Sequence, residues 1–202
     1  MATIPFPNVI PSSSSFGIKY NTQINTSTLS GSTQTIEIPG ARWVCSLSFS
    51  DLEPYEGRLM SAFLAQLRGS SGRFFLTDFT HPAPRGSISA PGAVTVNGAN
   101  QVGNTVTTSG WTASQSGLLL KGDYFQFSNG ELKMVTKDVT SDVSGNATIT
   151  FEPPIRISPS NAAAITLTDY SVTMMLSSNE SRWTSNNEAL LSNISIECIE
   201  GF

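Results

Sequence analysis

Trp43-Val44-Cys45-Ser46-Leu47-Ser48-Phe49-Ser50-Asp51-Leu52-Glu53-Pro54 carries two structural signals in succession. Trp43, Cys45, Leu47 and Phe49 alternate with Val44, Ser46 and Ser48, which predicts a strand with one wholly apolar face. Ser50 and Glu53 then spell a capping box, and Pro54 fits a first helical turn, where its missing N–H costs little. Leu52, Tyr55 or Leu59, Phe63 and Leu67 recur at helical spacing, flanked by Met60 and Leu64. Arg68 and Gly69 supply a terminal cation and a C′ glycine. The stretch predicts an apolar strand packed under one amphipathic helix of about residues 50–69.

On the N-terminal side, residues 1–34 are rich in Pro and Ser with isolated apolar residues. That spacing predicts an extended arm, with a strand around Gly17–Asn25, lying on a neighbour. On the C-terminal side, Arg73–Phe79 reads as another strand, and His81-Pro82-Ala83-Pro84 as a boundary, because proline cannot donate to a ladder. The texture then changes. Gly86–Gly110 alternates Val, Thr, Ser and Gly; Leu118–Phe127 holds a turn between apolar segments; Asn129-Gly130 is a hairpin turn followed by Glu131–Thr136. Ser144-Gly145-Asn146 marks a further turn before Ala147–Phe151, and Pro153, Pro154 and Pro159 end the block. Short strands at such spacing predict a small barrel or sandwich. Ala164–Leu176 and Leu191–Ile199 read as strands again, separated by a polar loop, Ser177–Asn187. The expectation is a mainly β protein with one α-helix, in which a first domain of 1–84 and 160–202 is interrupted by an inserted β domain of 85–159.

Composition narrows the function. Of 202 residues, 51 are Ser or Thr, while 11 Lys and Arg stand against 15 Asp and Glu for a net charge of −4. A nucleic-acid binder needs a basic patch, and the insert balances Arg85, Lys121, Lys133, Lys137 and Arg156 against Asp123, Glu131, Asp138, Asp142 and Glu152. Apolar runs are too short for a helical membrane span. Met1–Pro7 lacks the basic start and apolar run of a secretion signal, so synthesis and folding in the cytoplasm are expected. Cys45 and Cys198 fall in apolar rows and read as buried free thiols.

Candidate chemistry is sparse. A nucleophile needs a base, and the single histidine, His81, sits in the proline-flanked boundary. Cys45, Cys198 and His81 lack zinc-ligand spacing, and Asp138, Asp142 and Glu152 lack calcium-loop spacing and read as solvated turn residues. Asp51, Glu53, Glu56 and Asp123 are carboxylates available to a glycosidase, but Glu53 is better explained by the cap. Gly69–Arg73 follows a helix, the wrong order for a phosphate cradle. Trp43, Phe49, Phe63, Phe74, Phe75 and Phe79 keep core periodicity. No catalytic, cofactor or metal site is expected, and the chain is read as a non-enzyme.

The order of elements, carried by Trp43–Phe49, Ser50–Gly69, Arg73–Leu76, Leu118–Phe127 and Glu131–Phe151, resembles the distal tail proteins of long-tailed bacteriophages. It is similar to the version with an OB-like barrel inserted in the ring-forming domain. The resemblance implies a β-sandwich-like ring-forming domain (1–84 and 160–202) and an OB-like barrel (85–159). It further implies a hexameric ring at the tail tip, joining the tail tube protein to the baseplate hub and central fibre, with no cofactor. OB-like barrels also bind oligosaccharides. The alternative expectation is therefore a carbohydrate-binding tail module, with Trp111, Tyr124 and Phe125 as candidate saccharide contacts unless they fill the barrel core.

Overall fold

A computed structural model describes residues 3–81, 83–88, 90, 93–186 and 192–202. The chain begins with β1 (Thr3–Ile4), β2 (Ser13–Thr26), β3 (Thr33–Leu52), α1 (Pro54–Leu67) and β4 (Arg73–Leu76). Next come β5 (Thr95–Val96), β6 (Gly103–Ser109), β7 (Tyr124–Phe127), β8 (Leu132–Val135) and β9 (Asn146–Ile155). It continues through β10 (Ile165–Thr166), β11 (Val172–Leu176), β12 (Trp183–Ser185) and β13 (Ser192–Glu200). The fold is mainly β with one α-helix among the described residues, as the sequence predicts. Pro82, Asn187 and Leu191, parts of the expected boundary, loop and last strand, lie outside the described residues.

The first sheet has the order β1-β4-β11-β13-β3-β2, with β12 paired to β13. In β3, Trp43, Cys45, Leu47 and Phe49 are at most 5% exposed, whereas Val44, Ser46 and Ser48 are half-buried. β13 sets Ile194, Ile196 and Cys198 opposite Phe49, Leu47 and Cys45. Opposed residues share a face, so two apolar rows merge into one surface. Met60, Phe63, Leu64 and Leu67 of α1 are buried in the same cluster. Gly57 allows the helix to approach, since a Cβ there would lie 2.8 Å from Ser192 Oγ.

The helix begins later than predicted. β3 continues through Ser50 to Leu52, and Asp51 adopts φ 56° to turn the chain out of the sheet. Glu53 is the N-cap, and the capping box pairs Glu53 with Glu56 in place of Ser50 with Glu53. Ser50 is occupied elsewhere, its N–H donating to Ser12 Oγ at 2.6 Å. The expected strand around Gly17–Asn25 is present within β2, whereas the residues before it pack on the first sheet. β1 pairs with β4, Phe6 packs edge-on against Phe63 at 5.3 Å, and Val9 is buried. Of the isolated apolar residues, Val9 is in the chain's own core and Ile4, Phe6, Phe16 and Ile18 pack against it. Among the described residues, the ribbon formed by β2 and the first half of β3 leaves every residue from Lys19 to Gly40 exposed.

The second sheet runs β10-β7-β8-β9-β6-β5. Its ends nearly meet: Val96 N–H donates to Ala163 O, Ala162 N–H to Val96 O and Ile165 N–H to Val94 O, each at 2.9 Å. This makes a nearly closed barrel filled by Val106, Leu118, Leu119, Phe125, Phe127, Ile149 and Phe151, with the three phenylalanine rings packed edge to face. The predicted Asn129-Gly130 turn is present, with Gly130 at φ 90°. The single strand expected over Ala164–Leu176 is split. Ile165–Thr166 pairs with β7 in the barrel, Asp169 turns at φ 53°, and Val172–Leu176 returns to the first sheet.

Candidate functional site

β2 and β3 pair from Ser13↔Ser48 out to Thr26↔Thr33, but β13 covers β3 only from Val44 to Leu52. Beyond that point the two strands form a ribbon in which every residue from Lys19 to Gly40 is exposed. At about 3.3 Å per residue, it reaches roughly 25 Å from the sheet. Among the described residues, the outer edge of β2 and the Thr33–Arg42 edge of β3 pair with no further strand. From Tyr20 to Gly40 the sequence is mostly Asn, Gln, Ser, Thr and Ile with a single charge, Glu37. Ile24 is 64% exposed and Leu29, at the tip, 99%. Open edges of this kind are usually blunted by charge or proline. Here Pro39 lies only at the root.

At that root, the Arg42 and Arg156 guanidiniums lie 4.3 and 4.2 Å from the centre of the Phe202 ring. They border a cleft of about 550 Å³ whose walls include Tyr20, Ile38 and Ile155. Arg156 also reaches across from the barrel to pair with Glu200 of β13, whose Oε2 accepts the Trp43 N–H at 3.1 Å.

The barrel is fastened to the first sheet by a second polar cluster. Asp78 is 4% exposed and accepts hydrogen bonds from Thr80 N–H (2.9 Å), Thr80 Oγ1 (2.7 Å), His81 Nδ1 (2.8 Å) and Tyr124 OH (3.0 Å). Burial works to raise the Asp78 pKa, but the hydrogen bonds from Thr80, His81 and Tyr124 prevail and hold it below the usual carboxylate value. Burial, followed by the Asp78 charge, pushes the Tyr124 phenol up. Trp43 Nε1–H donates to Leu132 O at 2.9 Å, and Phe16 stacks on Trp43 with ring centres 5.0 Å apart. Tyr124 and Leu132 thus join the first domain's core although both lie on barrel strands.

These contacts define what the candidate residues do. Trp111, Tyr124 and Phe125 are 3%, 3% and 0% exposed, so none presents a face to a saccharide. Trp111 and Phe125 fill the barrel; Trp111 Nε1–H is satisfied by Thr108 Oγ1 at 2.8 Å. His81 and Thr80 both converge on the one Asp78 carboxylate, an arrangement that fastens a turn. Asp123 accepts the N–H groups of Arg85, Gly86 and Leu120 and shapes the barrel entrance. Asp142 holds the Ser144-Asn146 turn, and Asp138 accepts Lys121 N–H. Glu152, expected in a turn, lies in β9. Gly69–Arg73 folds back on itself, with Arg73 Nη1 donating to Ser70 O and Gly72 O. Of the aromatic residues expected in the core, Phe75 and Phe79 are 52% and 40% exposed, because Phe75 alternates away from buried Phe74 on β4.

Cys45 and Cys198 are buried and free, as predicted. Burial, with a contribution from Asp78, raises the Cys45 thiol to about 12. Among the described residues, no three His, Cys, Asp or Glu side chains converge as a metal site, and no helix is long and apolar enough to cross a membrane. The interdomain junction had no sequence signature: its members are separated by up to 157 residues, the distance between Trp43 and Glu200. The ribbon had one, in its charge-poor composition rich in Asn, Gln, Ser, Thr and Ile. No protein-family profile matches the chain, and no curated protein is significantly similar to it.

Proposed function

We propose that this chain is a structural protein of a bacteriophage tail tip. Copies assemble into a hexameric ring that connects the tail tube protein to the baseplate hub and central fibre. The observation that carries this reading is the projecting ribbon, with two unpaired edges and one charge in the stretch Tyr20–Gly40. The β2 edge of one copy is chemically complementary to the Thr33–Arg42 edge of the next, since each offers the N–H and C=O groups the other needs. Two different edges make a heterologous contact, and a heterologous contact closes into a ring when its rotation permits. Six is the number implied by the resemblance in element order.

The weakly acidic, charge-poor ribbon also suits a channel wall that does not retain DNA. The barrel is fastened to the sheet through Asp78 and Glu200 and, in this reading, projects from the ring. The role is mechanical, without catalysis, and the protein acts in the virion after synthesis in the host cytoplasm. Negative-stain imaging of particles carrying a label on this chain tests the reading. Label at the tail tip is the expected result, and particles lacking the chain would refute it.

A further inference from the structure

A second surface has a different chemistry. Of the three tryptophans, Trp43 and Trp111 are buried, whereas Trp183 is 49% exposed on β12. Trp183 sits opposite Ile194, whose side chain is buried in the core beneath the helix, so the indole lies on the helix side of the sheet, at the flank of α1. There it forms one wall of a hollow of about 250 Å³, whose lining includes Gly57, Arg58, Ser61, Ser185 and Ser192. The hydroxyls are partly committed: Ser61 Oγ donates to Arg58 O at 3.0 Å, and Ser185 and Ser192 Oγ atoms lie 3.4 Å apart. Each keeps lone pairs free to accept. Among the described residues, Arg58 is the sole charged one lining the hollow; it is exposed, and its guanidinium has no carboxylate partner among them.

We infer that the Trp183–Arg58 hollow is a binding site for an acidic saccharide residue, a hexuronate or a sugar of similar charge. An indole face takes the apolar C–H face of a pyranose, as aromatic side chains do wherever a ligand is apolar on one side and polar at its rim. Serine hydroxyls around that face meet the ring hydroxyls. A guanidinium matches a carboxylate with two parallel hydrogen bonds. The hollow holds about one sugar ring, so the recognised unit is a single residue of a longer chain. The inference goes beyond the ring and does not depend on it: a surface-glycan contact would add host-surface adhesion to a structural protein. It also moves saccharide recognition from the buried barrel aromatics to the flank of the helix.

Intrinsic fluorescence of the purified full-length protein provides the test, with glucuronic acid and glucose as probes. Because the other two tryptophans are buried, Trp183 should dominate any ligand-induced change. Glucuronic acid should give a saturable change, with glucose at least about tenfold weaker, a factor equivalent to one charge-assisted hydrogen bond of about 1.4 kcal/mol. Calorimetry should show binding lost in Trp183→Ala and the preference for the acid lost in Arg58→Gln, with both variants retaining the wild-type melting profile. Absence of saturable binding, or equal binding of the two sugars, overturns the inference. So does a Trp183→Ala variant that changes only the oligomeric state by light scattering, which would make the hollow a subunit contact. A wild-type protein that binds glucuronic acid yet stays monomeric would instead count against the ring alone.

Discussion

Between Trp43 and Phe49, β3 alternates buried and half-buried side chains beneath α1, whereas between Thr33 and Gly40 the same strand leaves every side chain exposed. Both halves pair with β2 in an unbroken antiparallel ladder apart from one irregularity at Lys19/Asn21. The difference lies in what covers them. The inner half has β13 on its free edge and a helix on its face; the outer half has neither. A two-stranded ribbon alone is marginal in water, and this one lacks the charges that usually protect open edges. The inner half is stabilised within the chain, and the outer half, on the reading proposed above, is stabilised by another copy.

That contrast can be broken at several points. The largest effect is expected inside. Trp43→Ala removes the indole at the centre of the joint core and its hydrogen bond to Leu132 O, and should cost about 3–5 kcal/mol in urea unfolding. Glu200→Gln leaves Arg156 without its buried carboxylate and loosens the Trp43 N–H, for about 3 kcal/mol in the same assay. An unchanged midpoint in either variant would mean that barrel and sheet are less tightly joined than described.

Tyr124→Phe deletes one donor to Asp78 and should cost about 1.5 kcal/mol. The same cluster makes stability depend on pH. Asp78 has its folded pKa depressed, so its contribution is complete above the unfolded value of about 4 and is lost as pH falls through the folded value. Melting temperature should therefore drop on acidification below about pH 4, and Asp78→Asn should flatten that drop. Glu131, which burial would raise but whose ion pair with Lys133 and bonds from Arg156 and Ile157 hold low, adds in the same direction. The smallest stability effect belongs to the ribbon. Leu29→Ser should change unfolding by less than about 0.5 kcal/mol, because the side chain at the tip is 99% exposed.

The sequence announced the inner half of β3 well. The Trp43–Phe49 alternation, the helix after it and the Asn129-Gly130 turn all stand where their local chemistry places them. What escaped it depends on distant partners. The helix start shifted from Ser50 to Glu53 because Asp51 turns the chain at the sheet's end and Ser12 engages Ser50. Phe6 and Val9 read as parts of a loose arm because nothing local reveals that Val9 is buried in the core and that Phe6 packs beside Phe63 and Phe74. Tyr124 is barrel strand by pattern but belongs to the other domain's core. The three saccharide candidates were aromatic residues whose burial periodicity could not assign. Trp183, in a polar loop by sequence, became visible only when β12 was placed beside the helix.

The central claim is that the outer half of β3 and its β2 partner hold copies together. Light scattering of the wild-type chain beside an Ile24→Lys/Ile36→Lys variant tests it directly, since charges on the ribbon should block edge pairing while leaving the core intact. The account predicts six-copy rings for the wild type and folded monomers for the variant, with the same far-UV circular dichroism and a melting temperature that rises with protein concentration only in the wild type. Wild type and variant with the same mass at every concentration would contradict it.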